Sequence, residues 1–264
     1  MNTAVSNTQA SAGDPGQPRA VLIVAHPGHE LLLHHWLERA QPIVCALTDG
    51  SGSHAQDRSG RSRRIIQRAG AQVGPVFAAA TDREWYRAIL TGDRRLFDGA
   101  SAQIADMCRT ERVTQIVADA REFFNPMHDL CSGLAQHVAL QLQRSCAIEL
   151  LTYPIERPDM LRGDPHHTYA LDDAALRRKL DAAAEYHELT SEVERKRISA
   201  MDDLGLERLF SLDIHREWPR LPPEEPFYEK FGRDMVERGT YAELITYANH
   251  VRPLAAMLTQ GGFC

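Results

Sequence analysis

Two histidines and a glutamate follow an apolar run near the start of the chain. The run covers residues 20–25 and leads directly into His26, a proline-glycine pair, His29 and Glu30. Such a run is typical of a buried strand, so these polar side chains are expected at the C-terminal end of that strand. A spacing of three across a turn lets both imidazoles reach one ion, and imidazole is the commonest metal ligand in proteins. The stretch therefore indicates a metal site.

A third histidine, His128, follows another predicted strand that ends near Asp119. Three neutral imidazoles with an open fourth position are a known catalytic zinc arrangement, in which bound water becomes a usable nucleophile at about pH 7. We therefore predict one Zn²⁺ ion, or another divalent transition metal, held by His26, His29 and His128. The corresponding chemistry is metal-assisted hydrolysis.

Apolar, β-branched runs alternate with helix-like segments through the first 155 residues. The alternation predicts βαβ units, and continuous apolar runs are typical of parallel strands that are buried on both faces. The predicted fold class is α/β: a Rossmann-like, mostly parallel sheet flanked by helices, with a helical C-terminal extension. The predicted strands cover 21–25, 43–48, 73–78, 114–118 and 147–153. The predicted helices cover about 30–40, 56–71, 83–108 with a break near Gly92, and 129–145.

The pattern changes after Tyr153, which divides the chain into three parts. Residues 1–19 are polar and rich in small residues and proline, and we predict a disordered N-terminal arm. Residues 20–155 form the Rossmann-like domain. Residues 156–264 are predicted to be mainly helical and packed on that domain, with helices from about 172 to 201 and from about 230 to 259. A role of this last part in self-association is the alternative.

Composition excludes some classes of protein. The net charge of −6 argues against a nucleic-acid binder, because neutralising phosphates needs clustered Lys and Arg. The one arginine cluster, between Arg58 and Arg68, is interpreted as a solvated helix face or as a contact to an anionic substrate. Five cysteines, an odd number, suit a reducing compartment. With no secretory signal and no apolar run of the roughly 20 residues that span a bilayer, we expect a cytoplasmic protein.

Three motifs resemble those of the PIG-L/LmbE family of zinc-dependent N-acetylglucosamine deacetylases. In that family the first strand runs into Ala-His-Pro-Asp-Asp-Glu, the second ends in Leu-Thr-x-Gly, and a later strand leads to His-Pro-Asp-His. Here the corresponding segments read Ala-His-Pro-Gly-His-Glu at 25–30, Leu-Thr-Asp-Gly at 47–50 and Asn-Pro-Met-His at 125–128. Order and spacing both agree. The resemblance covers about 20–155 and leaves most of the C-terminal third unassigned.

The resemblance implies that His26, His29 and His128 are the metal ligands, with His29 in the place of an aspartate. It also implies that both proton carriers of the family are missing. The position of the family's general base is occupied by Gly28, and the histidine that assists the leaving amine or the oxyanion is replaced by Asn125. The aspartate of the later motif is replaced by Met127, so a carboxylate that orients a metal ligand has gone too.

Other residues have to replace these groups. Asn125 can donate an amide hydrogen bond to a developing oxyanion, so we predict a catalytic role for it. Glu122, in the loop that leads to His128, is predicted to be the replacement base, ahead of Asp119, Asp129 and Glu30.

Two aspartates are predicted to bind the substrate, and two pairs of histidines are not assigned to the site. Asp49 is expected to contact a substrate hydroxyl or phosphate, with a tight turn as the alternative. Asp82 is expected, through the resemblance, to bind a sugar hydroxyl, with a helix N-cap as the alternative. His34 and His35 are interpreted as surface or packing residues. The pair at 166–167 is interpreted as exposed loop residues, with a role over the site mouth as the alternative.

The predicted function is a zinc-dependent hydrolase that removes an N-acyl group, in the first place N-acetyl, from an amino sugar or sugar conjugate. The alternative is a catalytically impaired or inactive family member that binds a metal or a sugar, because Gly28 and Asn125 replace the proton carriers. A nucleotide-binding Rossmann protein is less favoured, since no Gly-x-Gly-x-x-Gly follows the first strand. The expected partner is a small amino sugar, with no nucleic acid and no membrane span, and a homo-oligomer remains open.

Overall fold

The structure, a computed structural model, describes residues 18–52, 57–186 and 204–260. Most of the predicted N-terminal arm, the second half of the helix predicted for 172–201, and Cys264 lie outside these residues.

The described residues form a seven-stranded sheet with the strand order β3-β2-β1-β4-β5-β7-β6. Its first five strands are parallel, which confirms the predicted α/β class and the mostly parallel sheet. These strands are β1 (Ala20–Val24), β2 (Ile43–Thr48), β3 (Gln72–Ala80), β4 (Gln115–Asp119) and β5 (Glu149–Tyr153). The bounds of each agree with those of the corresponding predicted strand to within two residues at either end.

The central strands are buried because their apolar side chains alternate between two cores. Along β1, Val21 and Ile23 pack into the core on one face of the sheet. Leu22 and Val24 pack into the core on the other face. In β1, β2 and β4 every residue is buried, so a continuous apolar run rather than an alternating one is what this position requires.

Eight α-helices are described around the sheet. They are α1 (His34–Ala40), α2 (Ser59–Arg68), α3 (Asp82–Thr91), α4 (Arg95–Thr110), α5 (Pro126–Leu142), α6 (Asp173–Ala184), α7 (Phe227–Glu237) and α8 (Arg252–Gln260). A 3₁₀ turn, His29–Leu33, precedes α1, and a π-helical turn, Tyr247–Val251, precedes α8. The break predicted near Gly92 is present between α3 and α4, where Gly92 ends α3 with a φ of +65°.

The C-terminal third differs from the predicted run of helices. It adds two antiparallel strands to the sheet edge, β6 (His167–Ala170) and β7 (Leu206–Ser211). Both are short and half exposed, and β7 carries a buried glutamate, so neither has the apolar pattern that identifies a strand. The helical segment predicted over about 230–259 is present as two helices: α7 ends at Glu237, Gly239 follows with a φ of +71°, and α8 begins at Arg252.

Within the described residues, no helix combines the length and the apolar character that crossing a bilayer requires.

Candidate active site at the carboxyl ends of the strands

The three predicted metal ligands lie where the strand order reverses. β1 and β4 are neighbours in the sheet, but the chain continues from β1 towards β2 and from β4 towards β5. A crevice forms at such a point beyond the carboxyl ends of the strands. His26 and His29 follow β1, and His128 lies in the first turn of α5, just after β4. The topology therefore brings together residues that are about a hundred positions apart.

The imidazoles of His26, His29 and His128 meet edge to face. The ring centroids of His26 and His29 are 5.3 Å apart, those of His26 and His128 are 5.3 Å apart, and those of His29 and His128 are 4.6 Å apart. Three imidazoles that bind one tetrahedral ion at Zn–N distances of about 2.0–2.1 Å have centroids about 5 Å apart. The observed ring separations are of this size, and three imidazoles are a donor set that zinc accepts.

A carboxylate and a hydroxyl hold the ring of His26. Its Nδ1 lies 2.8 Å from Oγ1 of Thr48, the last residue of β2, and 3.1 Å from Oδ1 of Asp82. The second carboxylate oxygen of Asp82 accepts the backbone N–H of Gly52 at 2.5 Å. Burial raises the pKa of Asp82, but the hydrogen bonds from His26, Thr48 and Gly52 together hold it well below its usual range. An ionised carboxylate thus orients His26.

A second carboxylate holds the ring of His29. Oδ2 of Asp119 lies 2.8 Å from Nδ1 of His29 and also accepts the backbone N–H of Ala25 at 2.8 Å. Its Oδ1 accepts the hydroxyl of Tyr153 at 2.9 Å. Asp119 is fully buried, and burial raises its pKa to about 7 against these hydrogen bonds. Both rings are thus fixed through Nδ1, the arrangement that leaves Nε2 for a metal.

This role of Asp119 and Asp82 is what the sequence reading missed. The loss of an orienting carboxylate at Met127 is matched by carboxylates from two other elements, the end of β4 and the start of α3. From the sequence alone, Asp119 is an alternative for the replacement base and has no predicted contact with a histidine. The signal in the sequence is its position directly after the apolar run of residues 116–118, at the same end of the sheet as His29.

The prediction of Glu122 as the replacement base is not supported by its surroundings. Glu122 is fully buried, and its two carboxylate oxygens accept the backbone N–H groups of Ile155 and Glu156, each at 2.8 Å. Burial raises its pKa, while these bonds lower it. The carboxylate fastens the loop after β5 and does not line the cavity described below. Both carboxylate oxygens are thus used in hydrogen bonds to the backbone, as is usual for a buried polar group.

The two remaining alternatives for the base are engaged in the same way. Oε2 of Glu30 accepts the backbone N–H of Gly28, and its Oε1 accepts the hydroxyls of Ser62 and Tyr186, all at 2.7 Å. Asp129 accepts two backbone amides of the loop before α5, at 2.9 and 3.0 Å. Both carboxylates are fully buried. They stabilise the loops that carry the histidines.

Asn125 caps helix α5 and faces the cavity. Its Oδ1 accepts the backbone N–H of Met127 at 2.8 Å and the hydroxyl of Tyr86 at 3.0 Å. With the oxygen engaged twice, the group that the amide offers to a ligand is its NH₂. Tyr86, which the sequence reading did not single out, therefore fixes which end of the amide is presented.

Asp49 and Asp82 both line the cavity and both make internal contacts. Oδ1 of Asp49 accepts the backbone N–H and the hydroxyl of Ser51, and also the backbone N–H of Asp82 at 3.1 Å. The tight turn considered for Asp49 is therefore present. The N-cap considered for Asp82 is wrong, because Thr81 caps α3 through a capping box with Glu84.

An open cavity of about 1330 Å³ lies over the three histidines. Its polar part includes Asp49, Ser51 and Arg58, the first residue of the arginine cluster. Nε of Arg58 donates to the carbonyl of Gly50 at 2.7 Å, which ties this guanidinium to the loop after β2. Its apolar part combines aliphatic side chains with six aromatic residues, which are Tyr86, Phe124, Phe227, Tyr228, Phe231 and Tyr241.

The other histidine pairs lie outside this cavity. His34 is buried at the start of α1, in agreement with a packing role. Among the described residues, the group whose possible ligand atoms all lie within 4.8 Å of one another is Glu149, His166 and His167, not the three histidines of the cavity. Glu149 opens β5, so this group lies at the edge of the sheet opposite the three histidines and not over the site mouth. His167 belongs to strand β6 rather than to a loop.

Comparison with known proteins gives a fold rather than a close relative. No protein-family model matches the sequence, and no curated protein matches it. Among solved structures, the A40926 pseudoaglycone deacetylase Dbv21 matches with a TM-score of 0.50 and 16% identity over 76% of this chain and 100% of its own. The conserved protein TT1542 from Thermus thermophilus matches with a TM-score of 0.49 and 16% identity, over 78% and 100%. The zinc-inhibited form of teicoplanin deacetylase Orf2 matches with a TM-score of 0.44 and 10% identity, over 74% and 99%.

In fold, the match to Dbv21 agrees with the resemblance drawn from the motifs. The chain has the α/β fold of the PIG-L/LmbE-like deacetylases.

Proposed function

We propose that this protein is a metal-dependent hydrolase of the PIG-L/LmbE type that removes an N-acyl group from an amino sugar or sugar conjugate. The observation that carries the proposal is the meeting of three imidazoles at the strand-order reversal, two of them fixed through Nδ1 by buried carboxylates. The fold shared with a pseudoaglycone deacetylase agrees with it.

The donor set suits one Zn²⁺ ion or a similar divalent transition metal. His26, His29 and His128 would hold it, three neutral nitrogen ligands of the kind found in catalytic zinc sites with an open position. Such a metal supplies an acidified water and polarises the carbonyl of the scissile amide. The carboxylates of Asp82 and Asp119 keep two of the rings in the orientation and tautomer that binding requires.

The residues around the metal position have complementary tasks. The NH₂ group of Asn125, whose amide is oriented by Tyr86, donates to the amide oxygen as negative charge develops on it. Asp49 and Arg58, on the polar side of the cavity, contact hydroxyls of the sugar. Glu156 lies in the loop after β5 and lines the cavity, so it is the carboxylate to which we assign the proton transfer in place of Glu122.

Metal analysis and turnover of the purified protein test this function. We expect one zinc per chain and zinc-dependent release of the acyl group from N-acyl amino sugars. The His26→Ala and His128→Ala variants should lose both, whereas His215→Ala, at an exposed position, should lose neither. Full retention of zinc in the double variant His26→Ala, His128→Ala would contradict the site.

The absence of the family's proton carriers supports a second candidate, a protein that binds metal and sugar without hydrolysis. Gly28 and Asn125 are the observations that favour it. The two functions separate in one assay: if zinc is bound at one per chain and a panel of N-acyl amino sugars binds but is not turned over, the protein is a binder. A Glu156→Gln variant with turnover reduced about 10²- to 10⁴-fold and zinc retained would favour the enzyme.

A further inference from the structure

Four aromatic side chains form a row along the apolar side of the cavity. The rings of Phe124 and Phe227 are stacked, with centroids 4.4 Å apart and planes 5° apart. Phe231 follows at 6.0 Å from Phe227, nearly parallel at 15°, and Tyr241 follows at 6.4 Å from Phe231, edge to face. All four line the same cavity as the three histidines. We call them the aromatic row.

Folding leaves much of this row in contact with solvent. Phe227 is 43% exposed, and Phe231 and Tyr241 are each 44% exposed. Exposed apolar surface is unfavourable at roughly 25 cal/mol per Å², and a contiguous patch of it commonly marks a binding site. The protein therefore keeps an apolar track open towards its cavity.

The row begins beside the group that is proposed to bind the acyl carbonyl. Phe124 directly precedes Asn125, whose amide faces the cavity. The polar residues proposed for the sugar, Asp49 and Arg58, belong to the loop after β2, two strands away from the loop that carries Phe124. The cavity thus offers polar groups on one side and aromatic rings on the other.

We propose that the aromatic row binds the acyl chain of the substrate, and that the protein prefers amino sugars with a medium or long alkyl or aryl N-acyl group over N-acetyl. The inference rests on the proposed function, since it takes the amide to lie at the three histidines. Stacked rings with open faces suit an extended alkyl chain or an aryl group, because contact along each face removes apolar surface of both partners from water.

Acyl-chain selectivity of the zinc-loaded protein tests the inference. The assay compares kcat/KM for N-octanoylglucosamine and N-acetylglucosamine by the amine released. We expect the wild type to prefer the octanoyl substrate by at least about tenfold, which corresponds to ~1.4 kcal/mol. Phe231→Ala and Phe227→Ala should each reduce this ratio about tenfold. Leu221→Ala, at an exposed apolar residue (74%) that does not line the cavity, should leave the ratio as it is.

Binding without turnover separates this inference from the proposed function. Calorimetry should show that N-octanoylglucosamine binds to the wild type about tenfold more tightly than to Phe231→Ala, even if no N-acyl sugar is hydrolysed. An equal response to both chain lengths in the wild type, or unchanged selectivity and binding in Phe231→Ala, would overturn the proposal.

Two other occupants of the row would also overturn it. The octyl glycoside of N-acetylglucosamine carries its alkyl chain on the sugar rather than on the acyl group. If this chain raises the affinity, if Phe231→Ala abolishes that increase, and if the octanoyl chain raises no affinity, the row binds an aglycone. Sedimentation that shows a dimer in the wild type and a monomer in Phe231→Ala, with unchanged selectivity, assigns it to a second copy of the chain.

Discussion

Oδ2 of Asp119 lies 2.8 Å from Nδ1 of His29, and the same oxygen accepts the backbone N–H of Ala25. A strand-end carboxylate is thus bonded both to a proposed metal ligand and to the strand that leads to it. The tyrosine that ends β5 donates to the other oxygen. One side chain therefore links β1, β4 and β5 at the point where the three imidazoles meet.

Replacing Asp119 by Asn should weaken metal binding while His29 is still present. An amide there can accept one of the bonds but cannot keep the imidazole in the same orientation and basicity, and such changes typically cost about 10- to 100-fold in metal affinity. Competition with a chromophoric zinc chelator measures the change. Asp106→Asn, at a highly exposed carboxylate, is the control and should bind zinc like the wild type. Equal affinities in both variants would refute the orienting role.

Restoring the family aspartate at Gly28 should destabilise the fold. Gly28 has a φ of +112°, a conformation that side-chain-bearing residues adopt only with strain of about 1–3 kcal/mol. Gly28→Asp and Gly28→Ala should therefore lose similar amounts of unfolding free energy in urea. Gly99→Ala, at an exposed position in the second turn of α4 with open space around the new methyl group, should instead gain up to about 1 kcal/mol of unfolding free energy. A Gly28→Ala variant as stable as the wild type would show that this backbone relaxes.

Removing the positive charge of Lys179 should cost far more than breaking a surface ion pair. Nζ of Lys179 donates to Oε1 of Glu207 at 2.9 Å, and both side chains are buried. Lys179→Met leaves the glutamate charge buried without its counter-ion, which typically costs about 3–5 kcal/mol. Asp98→Asn breaks the half-exposed pair with Arg94, for which less than about 1 kcal/mol is expected. Urea midpoints of the two variants compare the effects, and equal losses would contradict the argument.

Protonation of His34 should destabilise the folded chain in mild acid. Burial lowers the pKa of His34 below its ordinary value of 6.5, and Lys179 and Arg178 act in the same direction, while Glu38 and Glu207 oppose them. Because the unfolded chain binds this proton at a higher pH than the folded chain, stability rises with pH up to about 6.5 and then levels off. His34→Gln should reduce the stability difference between pH 5.5 and pH 7.5 by about 1 kcal/mol or less. His215→Gln is the control and should leave the stability difference between the two pH values unchanged. The same result for His34→Gln would contradict a role of His34 in the pH dependence.

The strands of the parallel sheet could be predicted because burial on both faces leaves a continuous apolar run in the sequence. The same reasoning located His26, His29 and His128 at one edge, since parallel strands end together. It could not show what each carboxylate contacts. Glu122 and Asp119 stand three residues apart, yet the carboxylate of Glu122 bonds to the loop after β5 and that of Asp119 orients a histidine. That difference depends on contacts between distant segments.

The edge strands β6 and β7 could not be predicted from the sequence for a related reason. β7 carries Glu207, and a buried glutamate in a six-residue strand removes the alternation that would identify it. The cost of burying the charge of Glu207 is offset by Lys179. This lysine lies in helix α6, and no local sequence pattern links it to Glu207.

Glu207 also has a consequence for how the molecule can be divided. Its carboxylate accepts the backbone N–H groups of His35 and Trp36, and so holds the first turn of the helix that begins directly after the 3₁₀ turn of His29. A residue from the last quarter of the chain thus anchors the segment that carries the proposed metal ligand His29, in the first quarter. Cutting the chain after residue 155 would leave two backbone amides, and the turn that carries His29, without this anchor. A shortened version of this protein, or a chimera that takes over its three histidines, therefore has to include β7.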